Sequence, residues 1–154
     1  MHYFEAPALS YSCSRPSVFL AGGITGCPLW QMQAVQLLEH KDIDIFNPRR
    51  LNFPMDDPNA ALEQITWERH CLHQAKTILF WFCKETTQPI VLFELGYHLP
   101  RSKFINGFRT RADKKICIGI EPGYAREQDV RIQTQLVYPK FVFATNLPDL
   151  CAMV

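Results

Sequence analysis

The segment KTILFWFC, residues 76–83, constrains the fold most. Six consecutive residues from Ile78 to Cys83 are apolar, so a strand here buries both of its faces. Both faces are covered only in the middle of a sheet with helices above and below. Two further runs, SVFLAGG at 17–23 and KKICIGI at 114–120, read the same way. IDIFNP at 43–48 is a strand stopped by Asn47-Pro48, and KFVFA at 140–144 reads as a fifth strand. Helical spacing fills the intervals: CPLWQMQAVQLLEH at 27–40 with Pro28 near its start, 60–75, a helix opened by Pro89, and AREQDVRIQTQL at 125–136. The tail NLPDLCAMV is short and helical in character. Residues 1–16 read as an irregular lead-in to a single domain of 154 residues.

Strict alternation of strand and helix predicts an α/β fold, a doubly wound five-stranded parallel sheet of order 2-1-3-4-5. Ligands of such sheets bind beyond the carboxyl ends of the strands, at the switch between the first and third. Two segments meet there: GGITG at 22–26 and the loop KETTQ leading into the helix PIVLFELGYHL.

Composition narrows the partner. A net charge of +1 and 20% charged residues carry no nucleic-acid footprint, which favours a small metabolite. No apolar run is long enough to span a bilayer, and the first residues lack the pattern of a secretory signal. The six cysteines show no CxxC spacing, which fits a reduced, cytoplasmic protein without disulfides.

Glu94 is the residue that asks for an explanation, because it lies in an apolar helix where an unpaired carboxylate is costly. It is either a structural acid with a partner or a nucleophile or base. Glu68, one helix and one strand earlier, is a second acid. Paired carboxylates serve bond breaking at an anomeric carbon, one attacking and the other handling protons or hydroxyls; a solvated helix face is the plainer account of Glu68. Gly22, Gly23 and Thr25 offer backbone and hydroxyl contacts at a helix start. Asn47 and Arg49 stand after the second strand, where they either reach the pocket rim or lie in a solvated loop. Trp30, Trp67 and Phe82 are candidates to stack on a base, with core packing as the alternative. His70, Cys71 and His73 share a helix, but no HExxH or paired-cysteine motif accompanies them, so no metal site is expected. The basic stretch Arg101, Lys103, Arg109, Arg111, Lys114 and Lys115 reads as a solvated loop rather than a phosphate site.

Taken in order, VFLAGGITG, Trp30, FNPRR, ITWERHCLHQAKTILFWF, TTQPIVLFELG and ICIGIEPGYAREQDVRI resemble the nucleoside 2-deoxyribosyltransferase superfamily, in particular its shorter 2-deoxyribosyltransferase-like branch. The resemblance implies a flavodoxin-like sheet, catalysis without metal or organic cofactor, and a homodimer or larger homo-oligomer. It also implies that Glu94 of the ELG motif attacks the anomeric carbon of a nucleoside or nucleotide and forms a glycosyl ester. Glu68 matches the acid that orients the substrate. Phe19 stands where the family's transferases carry a tyrosine. Gln88 stands near the place of an aspartate that handles the base, and counts here as a pocket residue without acid function. Three functions remain open on the sequence: transfer to a second base, hydrolysis without transfer, and a non-catalytic nucleotide-binding or sensor module.

Overall fold

The structure, a computed structural model, describes residues 1–8, 15–101 and 114–154. Five parallel strands form one sheet: β1 (His2–Glu5), β2 (Ser17–Gly22), β3 (Asp44–Asn47), β4 (Thr77–Phe82) and β5 (Lys115–Ile120), in the order β1-β3-β2-β4-β5. The helices are α1 (Trp30–Leu38), α2 (Ala60–Gln74), α3 (Pro89–His98), α4 (Glu127–Val137) and α5 (Leu147–Ala152). The α/β class, the doubly wound parallel sheet and the β3-β2-β4-β5 core follow the sequence expectation. No helix among the described residues is long and apolar enough to cross a membrane.

Strand alternation builds two cores. Phe19, Ile78, Phe80, Phe82 and Ile118 face α2, α3 and α4. Val18, Leu20, Leu79, Trp81 and Cys117 face α1 and α5. Register aligns them across the sheet, with Phe19 beside Phe46 and Ile78, and Leu20 beside Leu79. Full burial of the aromatic and branched side chains along β4 explains why its sequence shows no polar face.

The fifth strand lies at the opposite edge from the one expected. KFVFA touches the sheet only at one isolated bridge, Gly119 with Ala144. Phe141 and Phe143 pack against the α2–α4 side, whereas Val142 is exposed, so its alternation reflects a loop lying on the core's rim. The edge is instead completed by the lead-in, where residues 2–5 pair with β3 from His2↔Asp44 to Glu5↔Asn47. β1 is a short, half-exposed edge strand, so neither a long apolar run nor strict alternation marks it. Helix α1 also begins two residues after Pro28. The tail helix α5 is capped by Asn146, whose Oδ1 accepts from the Asp149 amide at 2.8 Å.

Of the basic stretch, residues 102–113 lie outside the described residues. Lys114 is not solvated: it is buried and its Nζ donates to the carbonyls of Leu72, His73 and Ala75. These are C-terminal carbonyls of α2, which lack intrahelical donors and carry the negative end of the helix dipole. Burial, and then the nearby Lys76, push the Lys114 ammonium down to about 8. Lys114→Met keeps the stem and removes three donors from buried carbonyls. It is expected to cost about 1–3 kcal/mol, measured as a lowered urea midpoint at unchanged slope; an unaltered midpoint contradicts the capping role.

Candidate active site

The crevice lies where β2 and β4 end side by side and their chains leave for opposite faces of the sheet. β2 runs directly into Gly22-Gly23. A Cβ on Gly22 would stand 2.4 Å from Trp30 Cζ2 and 2.6 Å from the Trp81 carbonyl oxygen. A Cβ on Gly23 would stand 2.2 Å from Cys27 Sγ. Close approach of side chains, rather than an unusual backbone angle, therefore requires glycine at both positions.

Arg49 holds this loop from behind. Its Nε donates to Gln31 Oε1 at 2.8 Å, and its Nη2 donates to the carbonyls of Ile24 and Pro28, each at 2.9 Å. Trp30 Nε1 donates to the Gly23 carbonyl at 2.9 Å. From the β4 side, Gln88 Oε1 accepts from the Gly23 amide at 2.8 Å while its Nε2 donates to the Cys83 carbonyl at 2.7 Å. Gln88 adopts φ 52°, a left-handed conformation uncommon for a side chain of this kind, immediately before Pro89 starts α3. These bonds offset the conformational cost and fix where α3 begins.

Helix α3 then carries Glu94 over a cavity of about 620 Å³, whose opposite wall is α2 with Glu68. The lining between them is mostly apolar, including Phe19, Ala21, Ile65, Leu72 and Val91. No hydrogen bond or ion pair holds Glu94 among the described residues. Burial, and then repulsion from Glu68, push its carboxyl up to about 8. Glu68 is also raised by burial, although Gln64 opposes the shift through a 2.8 Å bond from Nε2 to Glu68 Oε1. The same Nε2 donates to the Pro48 carbonyl at 2.7 Å, so Gln64 fixes the Glu68 carboxylate against the β3 loop. The charge on Glu68 therefore bears on the titration of Glu94 across one cavity.

The structure brings six of the expected residues to this cavity: Glu94, Glu68, Gly22, Gly23, Thr25 and Gln88. Gln88 has both ends of its amide engaged by protein, so it braces the wall. The other five lie elsewhere. Trp30 packs in the α1–α5 core, and Phe82 and Trp67 in the α2–α4 core, Trp67 donating to the Ala8 carbonyl at 3.1 Å. Asn47 is buried, with Nδ2 donating to the Tyr3 hydroxyl and Oδ1 accepting from the Arg49 amide. Arg49 turns its Nη2 onto the loop carbonyls and its Nε onto Gln31, so it braces the loop from outside the cavity lining. Among the described residues no cluster of three or more His, Cys, Asp or Glu side chains is placed to hold a metal ion.

Sequence reasoning missed Arg69, His73, Tyr97 and His98, which line the end of the cavity away from the glycine loop. Arg69 lies over the Tyr97 ring at 5.8 Å, and His73 meets Tyr97 edge-on at 5.7 Å. Tyr97 follows Glu94 by one helical turn, and Leu72 follows Glu68 likewise. Projecting one turn onward from each acid would have found this wall.

A family model described as nucleoside 2-deoxyribosyltransferase like matches residues 15–112. The chain belongs to this family. The match spans β2 through α3, and thus both loops of the crevice and both acids. A comparison with curated proteins finds no match.

A carboxyl raised from 4.5 to about 8 binds its proton more tightly in the folded chain than in the unfolded one. That contribution to stability is complete below pH 4.5 and is lost as pH rises through 8. Glu94→Gln removes it. Between pH 5 and 9 the wild type is expected to lose roughly 4 kcal/mol relative to this variant, read from urea unfolding at each pH. Parallel pH profiles would show that Glu94 is solvated or paired.

Proposed function

We propose that the protein breaks the N-glycosidic bond of a nucleoside or nucleotide by a retaining double displacement, with Glu94 as nucleophile. The observation that carries this reading is the placement of Glu94, largely buried and without an ion-pair partner among the described residues, in the same apolar cavity as a second raised carboxyl, Glu68. Family membership supplies the substrate class.

In the first half, a Glu94 oxygen attacks C1′ as the C1′–N bond breaks. The electron pair of that bond leaves on the base, which takes a proton from Glu68; substrate binding first moves that proton from Glu94, the more strongly raised acid, to Glu68. The positive charge that develops on the sugar favours the ionised form of Glu94, so the attraction is greatest where the bond is half broken. In the second half, water or a second base attacks C1′, its proton passes to Glu68, and the ester pair returns to Glu94. The pair then has two roles: the ionised acid attacks, and the other carries a proton. Gly22, Gly23 and Thr25 line the adjoining wall and contact the substrate; Tyr97 offers a ring for the base.

Glu94→Gln preserves shape and removes the nucleophile. Turnover is expected to fall on the order of 10³-fold or more. Acid-quenched wild-type protein is expected to carry a sugar ester on the peptide containing Glu94, seen by mass. Nucleosides and 5′-monophosphates, each assayed with and without a free acceptor base, separate the two outcomes: transfer makes a new nucleoside, whereas hydrolysis makes only base and sugar. Retained turnover in the variant contradicts the assignment of nucleophile. Ligand-induced thermal stabilisation of wild type with no product would make the chain a binding module.

A further inference from the structure

Beneath the cavity, two thiols from different loops meet. Cys27 belongs to the glycine loop and is half-buried; Cys83 ends β4 and is 1% exposed. Cys27 Sγ packs against the Gly23 backbone, so closely that a Cβ there would stand 2.2 Å away, and lies 3.2 Å from Thr86 Oγ1. Cys83 Sγ accepts from Gln88 Nε2 at 3.2 Å, and the other end of that amide accepts from the Gly23 amide. Cys27 lies near enough to add to burial in raising the Cys83 thiol. Arg49, whose guanidinium feels both thiols, donates to the Cys27 carbonyl at 3.2 Å. Cys27, Gly23, Gln88 and Cys83 thus form a chain of contacts across the gap between β2 and β4, which brings the two thiols to the same place.

We propose that Cys27 and Cys83 form a reversible disulfide under a peroxide, and that this bond latches the glycine loop to the end of β4. Cys27 is the thiol that the oxidant reaches first, because it is the less buried. Its thiolate attacks the peroxide, giving a sulfenic acid and water (or an alcohol). The Cys83 sulfur then displaces the sulfenic oxygen as a second water, closing the S–S bond. Overall two thiols lose two electrons and two protons to the peroxide. The bond takes from Gln88 the thiol it donates to and holds Gly23 between two covalently joined loops. It therefore stiffens the floor on which a substrate sits. The latch is independent of the reaction assigned above and is tested without turnover.

The full chain is treated with hydrogen peroxide and then with dithiothreitol. Oxidised wild type is expected to lose two hydrogens in intact mass and to yield a peptide joining Cys27 to Cys83. Amide exchange in residues 23–27 is expected to slow at least fivefold, returning on reduction. Cys27→Ser and Cys83→Ala, two independent variants, should show neither the mass change nor the slowing. A sulfinic acid at Cys27 without cross-linking overturns the proposal. So does pairing of Cys27 with another cysteine, or a cross-link that leaves exchange unchanged.

Discussion

The parallel pairing of β2 with β4 is the constraint on which the rest depends. Val18 to Gly22 run beside Thr77 to Trp81, so the two strands end together. Their following helices, α1 and α3, then pack on opposite faces of the sheet. A gap must open where the chains part, and Gln88 bridges it between the Gly23 amide and the Cys83 carbonyl. That bridge sets the start of α3, and the start of α3 sets the direction in which Glu94 points. The site is thus a consequence of strand order, joined to it by two hydrogen bonds from a single amide.

Electrostatics follow from the same geometry. A carboxyl on the cavity side of α3 faces α2, the next helix on that face of the sheet, and the charge of α2 that bears on Glu94 is another carboxyl, Glu68, while Arg69 of the same helix lies over the Tyr97 ring. Among the described residues neither acid has an ion-pair partner, and Glu68 is steadied by Gln64. Two other cations are engaged elsewhere. Arg49 is held by loop carbonyls and Lys114 by the end of α2. The pair remains poorly solvated and short of full ionisation, a condition suited to stabilising positive charge on a sugar and unsuited to a purely structural acid.

Much of this was legible in the residues. The apolar runs of β2, β4 and β5 announced a sheet buried on both faces. Glu94 drew notice because its helix offered no polar neighbours. What was not legible depended on tertiary placement. β1 is short and half-exposed, so its sequence carries no strand signal until β3 pairs with it. KFVFA alternates as a strand does, yet it follows the turn at Pro139 and meets β5 at a single bridge. Trp30, Trp67 and Phe82 are large aromatic side chains near the site in sequence; the strand and helix faces that carry them turn toward the cores instead. Arg49 has the chemistry of an anion ligand, but the loop's own carbonyls reach it first.

The most direct measurement is a carbon-13 titration of the Glu94 carboxyl in the full chain. The account predicts an apparent pKa near 8 in the wild type, falling when Glu68→Gln removes the neighbouring charge. A carboxyl that titrates near 4.5 in the wild type, indifferent to Glu68, would contradict it.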